Sequence, residues 1–436
     1  MRTSLRFCLL FVLITNCFSS NAQGEWNLPA PESILKSMET ANDYFIAKYP
    51  DPGKDTFVKK VRPSNLWTRG VYFEGLYALT DIEQKTGGGK YDKYHKYIYD
   101  WGTAHKWTPR NGITTRDADD YCCSQTYLDM YMTNDIYGKA TEHKERINPT
   151  IKLAENLLSI EKSRGDWTWI DAIQMGLPVF AKLSRITYMS GNETDAVRYM
   201  EKGWEMYECS RNEIGQYTRS TDNKTATGLY NQADGLWWRD KDFVPPYKEP
   251  NGEDCYWSRG NGWVYAALVR VMDAMLISKQ AQASGFDEPL GKNKWKKIKG
   301  ISKRYKAYEK DFKAMTEALR KCQRSDHFWN VSLHDESNFG GKELTGTALF
   351  IYGMAWGVRH GILPEKVYMP IISETWKAMV KECLHSNGFL GYVQGTGKEP
   401  KDSQPVGYNN EPDFDDYGLG CFLLAGSEIY KLSVLE

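Results

Sequence analysis

The sequence predicts an all-α fold, a ring of six helical hairpins, on three observations: apolar residues recur at helical spacing, strand-like alternation is scarce, and one turn-then-helix pattern returns six times. The stripes are clear in Phe73, Leu76 and Tyr77 and again in Tyr127, Met130 and Tyr131, each giving a helix one buried face. Helix starts are marked as well. Asn148 caps a helix with Pro149 in its first turn and Ile151, Ala154 and Leu158 on one face; Thr194 and Asp195 open the helix through Val197, Met200 and Trp204; Pro364 opens the segment that runs to Cys383. The six recurrent openings lie near Arg69, Asp120, Asp171, Arg259, Gly346 and Gly418. In each, a polar or glycine-containing turn runs into an aromatic, small-residue-rich helix. Their mean spacing of about 70 residues holds a helix, a return helix and two loops, as a closed ring of hairpins requires.

Composition narrows the function. With 56 basic and 56 acidic side chains the net charge is zero, so there is no bulk attraction to nucleic acid or anionic membrane. The 15 Trp, 28 Tyr and 16 Phe exceed what a core alone usually needs and suit a surface that stacks on sugar rings, though an aromatic-rich core reads the same way. Arg2 and Arg6 precede an apolar block from Phe7 to Ile14 and small polar residues up to Ala22, which reads as a secretory signal peptide over residues 1–22, with residues 23–436 as one domain. The expected address is the periplasm, with release or lipid anchoring through Cys17 as the alternatives. Seven cysteines remain beyond the signal, at no C-x-x-C spacing, so buried thiols are expected. The segment from Gly228 to Cys255 reads as a functional loop, and the basic run from Gly291 to Lys306 as a solvated helix face.

No phosphate loop, zinc-protease motif or nucleophile elbow occurs, and the seven histidines are scattered, which leaves acid-base work to carboxylates. Asp117, Asp119 and Asp120 precede a helix, where they either cap it or take part in chemistry. Asp171 lies among Trp169, Ile170 and Ala172, with Met175 one turn on; apolar neighbours favour the neutral acid and a helix start favours the anion, a balance that suits proton donation. Arg259, between Trp257 and Trp263, can fork onto a substrate carboxylate or pair structurally with an aspartate. Glu343 reads first as a helix-start charge.

Four blocks in one order, WTWIDAIQMGLPVFAKL, WSRGNGW, ELTGTALFIYGMAWGVRHGIL and DDYGLGCFLLAG, give the chain its family likeness. It resembles the unsaturated rhamnogalacturonyl hydrolases of glycoside hydrolase family 105, related to the unsaturated glucuronyl hydrolases of family 88, from about Trp67 to Ala425. The resemblance implies a six-hairpin α/α toroid with a pocket for a 4,5-unsaturated uronic acid, the end that polysaccharide lyases leave on oligosaccharides. It implies that Asp171 protonates C4 and activates water, that Asp120 is the second aspartate, and that Trp169 and Met175 line the sugar. Arg259 and Trp263 match positions that contact the unsaturated ring, and Arg69 in WTRGVYFEGL either touches substrate or supports the first inner helix. Family members often carry a histidine after Gly-Leu-aromatic; here Gly228-Leu229-Tyr230 is followed by Asn231 and Gln232, so an amide takes that place and the choice between galacturonyl and glucuronyl ends stays open, with galacturonyl favoured.

The expected reaction needs an acid and a water, with no metal and no cofactor. The expected partner is the oligosaccharide alone, without nucleic acid or membrane, and the chain is expected to be a monomer. Two other readings share the residues: a glycosidase using Asp120 and Asp171 as separate acid and base on a saturated sugar, and a sugar-binding protein without turnover.

Overall fold

An apolar stripe needs a partner, and the chain supplies one by alternating helices between two layers. The computed structural model describes residues 27–135, 143–219, 222–275, 300–413 and 416–435. The outer layer consists of α1 (Pro31–Lys48), α3 (Tyr91–Ala104), α5 (Asn148–Ser159), α7 (Glu193–Asn212), α9 (Ile301–Lys321) and α11 (Glu365–Glu382). The inner layer consists of α2 (Trp67–Thr86), α4 (Cys122–Asp135), α6 (Asp171–Met189), α8 (Ser258–Met275), α10 (Leu344–Arg359) and α12 (Tyr417–Ser433). Each inner helix packs on the next and α12 closes against α2, which makes the expected six-hairpin α/α toroid. The six openings marked in the sequence are the starts of the six inner helices.

The layers differ as their sequences require. Outer helices bury one stripe: α5 buries Thr150, Leu153, Ala154 and Leu157, and α9 exposes Lys303, Lys306 and Lys310. The part of the basic run before Gly300 lies outside the described residues, as does the segment read as a signal peptide. Inner helices are buried almost all round, as in α10 from Leu344 to Gly357. Small residues let them approach. A Cβ on Gly75 would stand 2.5 Å from the Gly420 carbonyl oxygen, and one on Gly420 2.3 Å from that of Val71, so α2 and α12 touch backbone to backbone. Gly420→Ala is therefore expected to lower stability by about 1–3 kcal/mol, read as a shift in the denaturant midpoint at unchanged m.

Caps depart from the sequence reading at two starts: Asn148 is the first residue of α5 rather than its cap, and no side chain caps that helix. The α7 start is capped by Asn192, whose Oδ1 accepts the Asp195 backbone N–H at 3.1 Å, so Thr194 and Asp195 fall inside the first turn. Three two-stranded hairpins supply the only strands among the described residues: β1–β2 (Thr56–Phe57, Val61–Arg62), β3–β4 (Gln216–Thr218, Thr225–Thr227) and β5–β6 (Tyr230–Asn231, Leu236–Trp237). The seven cysteines are free thiols, all buried except the half-buried Cys322.

Among the connections that lie in the described residues, lengths differ at the two ends of the ring. Those leaving α2, α6 and α10 are short turns (87–90, 190–192 and 360–364), whereas those entering α4, α8, α10 and α12 run over 105–121, 213–257, 322–343 and 383–416. The long segments gather over the N-terminal ends of the inner helices.

Candidate active site

The starts of the inner helices form one rim. Trp67, the first residue of α2, sits with its ring 6.1 Å from Trp263 of α8 and 5.6 Å from Tyr417, the first residue of α12. Glu343 caps α10, its carboxylate accepting from the backbone N–H of Thr345 at 2.9 Å and Gly346 at 2.7 Å. Asp416 caps α12 at Tyr417 N, 2.8 Å, and accepts from Arg69 Nε at 3.3 Å. The six helix N-termini thus gather at one end of the ring, and four of them carry a carboxylate at or just before the first turn: Asp120, Asp171, Glu343 and Asp416.

Asp171 opens α6 on this rim, yet its carboxylate is not consumed by its own helix. Oδ2 accepts from Arg239 Nε at 3.1 Å, and the side chain is 12% exposed. Backbone pairing sets this contact: Ile170 N–H donates to the Arg239 carbonyl at 2.9 Å, and Trp169 bridges to Asp240. The strand leaving β6 is thereby held against the start of α6. Arg239 Nη1 donates to Asp240 Oδ2 at 2.7 Å, so one guanidinium joins two carboxylates. Trp169 is half-buried beside them.

The turn before α4 brings two more carboxylates. Asp120 is buried and accepts from Thr115 Oγ1 at 2.6 Å and Asn111 Nδ2 at 3.1 and 3.2 Å; burial raises its pKa, and these hydrogen bonds oppose the rise. Asp119 is the one that feels Asp171. Burial first, then the charges of Asp117, Asp171 and Asp120, push it up to about 7, with Arg239 opposing. An aspartate that holds its proton to about pH 7 in the fold, but only to the ordinary 3.8 unfolded, loses stability as pH rises through that window. Asp119→Asn is therefore expected to be more stable than the parent by a margin that opens above about pH 4 and levels off past about 7. Equal melting temperatures for the two proteins at pH 5 and pH 8 would refute this.

Other residues singled out in the sequence fall into distinct places. Arg259 is 1% exposed; Nη1 and Nη2 donate to the carbonyls of Gln394 at 2.7 Å and Gly395 at 2.8 Å, and the guanidinium lies over the Trp257 and Tyr417 rings. It pins the 394–395 turn onto the rim. Met175 and Trp263 are fully buried, behind the open surface rather than on it. Arg69 is also buried, between Asp416, Thr56 Oγ1 and the rings of Phe45 and Tyr49. Asn231 closes the β5–β6 turn, with Nδ2 donating to Asp234 at 3.0 Å and Tyr256 Oη at 2.7 Å; Gln232 is exposed on that turn, which backs onto α9 of the outer layer. The structure thus brings together Asp171, Trp169, Asp119 and Asp120, and sets Asn231 and Gln232 apart.

A polar layer underlies the site. One turn below Asp171, Gln174 Nε2 donates to Glu74 Oε2 at 2.8 Å and its carbonyl accepts from Gln125 Nε2 at 2.7 Å. Arg270 Nε donates to Gln125 Oε1 at 2.8 Å and lies 3.6 Å from Glu74, while Lys182 pairs with Asp129. Two acids and two bases are thus buried among α2, α4, α6 and α8; burial pushes Lys182 down to about 8.

Known proteins share this fold. The unsaturated 3S-rhamnoglycuronyl hydrolase of Formosa agariphila is 27% identical over 383 residues, 84% of each chain. A solved glycosyl hydrolase family 88 structure from Bacteroides vulgatus superposes with a TM-score of 0.70 at 25% identity, covering 93% of this chain and 100% of that one. A possible member of family 105 from Salmonella enterica shares the fold, with a TM-score of 0.62 at 17% identity over 94% and 96% of the two chains. The sequence profile of Glycosyl Hydrolase Family 88 matches residues 37–433, nearly the whole ring, so the chain belongs to that family and is a hydrolase of glycosidic bonds.

Proposed function

We propose that the enzyme removes a 4,5-unsaturated uronic acid from the non-reducing end of lyase-made oligosaccharides. The observation that carries this reading is Asp171, a carboxyl held at the rim by an arginine from another segment, with the proton-holding Asp119 in its field. A vinyl ether asks for little more. Asp171 donates a proton to C4, water adds at C5, and the resulting hemiketal opens; the hemiacetal so formed at C1 expels the aglycone, with no displacement at the anomeric carbon.

Chemistry also sharpens the choice between galacturonyl and glucuronyl ends. The two sugars differ at C4, and elimination makes that carbon trigonal, so both leave the same unsaturated ring. What distinguishes the substrates is the anomeric linkage and the sugar beyond it. The sequence resemblance favours galacturonyl-rhamnose; the name of the Formosa agariphila relative, an unsaturated 3S-rhamnoglycuronyl hydrolase, joins a glycuronyl group to rhamnose without saying which uronic acid it is. Rhamnose is common to both, and we infer a rhamnose aglycone.

The test follows the ultraviolet absorbance of the conjugated enol-ether carboxylate. It is expected to fall with unsaturated galacturonyl-rhamnose or unsaturated glucuronyl-rhamnose, and more slowly with unsaturated glucuronyl-galactose. Cleavage of a saturated glycoside with the unsaturated ones left intact would overturn the mechanism. Export is tested separately, by N-terminal sequencing of the chain recovered from a periplasmic fraction, with Gln23 expected first.

A further inference from the structure

An unsaturated uronate brings its own carboxylate to the rim, and that charge needs a donor. Most arginines near the opening are turned inward, and even the unpartnered nitrogens of Arg259 (Nε) and Arg69 (Nη1) are buried away from solvent. Arg259 has both terminal nitrogens on main-chain carbonyls, Arg69 is sealed against Asp416 and Thr56, and Arg62 is paired with Asp413. Arg239 differs. Its Nε reaches Asp171 and its Nη1 reaches Asp240, but Nη2 has no acceptor among the described residues, and the side chain is 21% exposed. The guanidinium is planar, so two of its bonds fix the direction in which the third nitrogen points.

We infer that Arg239 is the residue that grips the substrate carboxylate, with Nη2 as the free donor, while its Nε keeps Asp171 oriented. The carboxylate hangs on C5, next to the C4 that takes the proton. One guanidinium that touches both the anion and the acid would therefore set the distance between proton and double bond. Asp119, which carries its proton below about pH 7, spares an entering anion one more charge beside Asp171 and Asp240. This inference rests on the unsaturated-uronate reading above. It names a residue that the sequence passed over, and gives it the task that Arg259, buried on carbonyls, is not placed to perform.

The experiment compares kcat/KM for wild type and Arg239→Gln, each on the unsaturated disaccharide as free acid and as its methyl ester. The intrinsic reactivity of the ester cancels between the two proteins. Wild type is expected to prefer the acid by on the order of 10- to 100-fold, and Arg239→Gln to lose that preference mainly through KM. Arg239→Lys, which keeps the charge and loses the fork, is expected to retain part of it, and serves as well should the Gln variant fold poorly. A residue that only orients Asp171 would lower kcat equally on both forms and leave the preference intact, which overturns the proposal. So would loss of the preference in Arg110→Gln, on the half-buried loop beside Asp120, rather than in the Arg239 variants. A wild type that leaves the absorbance of both forms unchanged sinks the substrate reading together with this one; an unchanged acid-to-ester ratio in an active wild type and variant sinks this one alone.

Discussion

Asp171→Asn is expected to lower kcat on the unsaturated disaccharide by about 10²- to 10⁴-fold with little change in KM. The amide is nearly isosteric and can still accept from Arg239 Nε, so the rim should keep its shape while losing the carboxyl proposed to protonate C4. The split between kcat and KM is the informative part. A site that merely bound sugars would show equal affinity in both proteins and no turnover in either. A two-carboxylate glycosidase would lose activity on a saturated glycoside instead. Stopped-time product analysis with the absorbance assay separates all three, and full activity in the variant would remove Asp171 from the mechanism.

Glu74→Ala is expected to cost about 3–5 kcal/mol of stability, the largest loss among single changes away from the rim. The carboxylate is 1% exposed, and burial raises its pKa against the opposing charges of Arg270 and Lys182. Removing it leaves Arg270 in the interior with Asp129 as its remaining acid, takes the acceptor from Gln174 Nε2, and opens a cavity between α2 and α6. Glu74→Gln, which keeps an acceptor oxygen, should lose less. Chemical denaturation of both variants checks the order, and an Ala variant as stable as the Gln variant would show that the layer contributes packing rather than charge pairing.

The ring was legible in the sequence because close helix packing writes itself into composition: glycines such as Gly75 and Gly420 stand where two backbones meet, and aromatics fill the wedge-shaped gaps around them. The place of Asp171 at a helix start was legible for a local reason too, as a carboxylate following Trp167 and Trp169 in the chain. Arg239 was not. Its role depends on the Ile170-to-Arg239 backbone bond, which joins segments far apart in the chain, and no side-chain pattern encodes that register. The segment holding it did read as a functional loop, and Trp237-Trp238-Arg239-Asp240 was the available signal. The partners of Arg259 were hidden in another way, since main-chain carbonyls leave no trace in residue type. Telling Asp119 from Asp120 needed the direction of each side chain within one turn of 3-10 helix.

The inequality between short and long connections has an evolutionary reading. Turns such as 190–192 and 360–364 are too brief to change without unseating a helix, whereas the excursions over 213–257, 322–343 and 383–416 can gain or lose residues while the twelve-helix frame stands. Differences in what the ring accepts can therefore arise by editing one lip of the barrel while the helical frame is inherited unchanged.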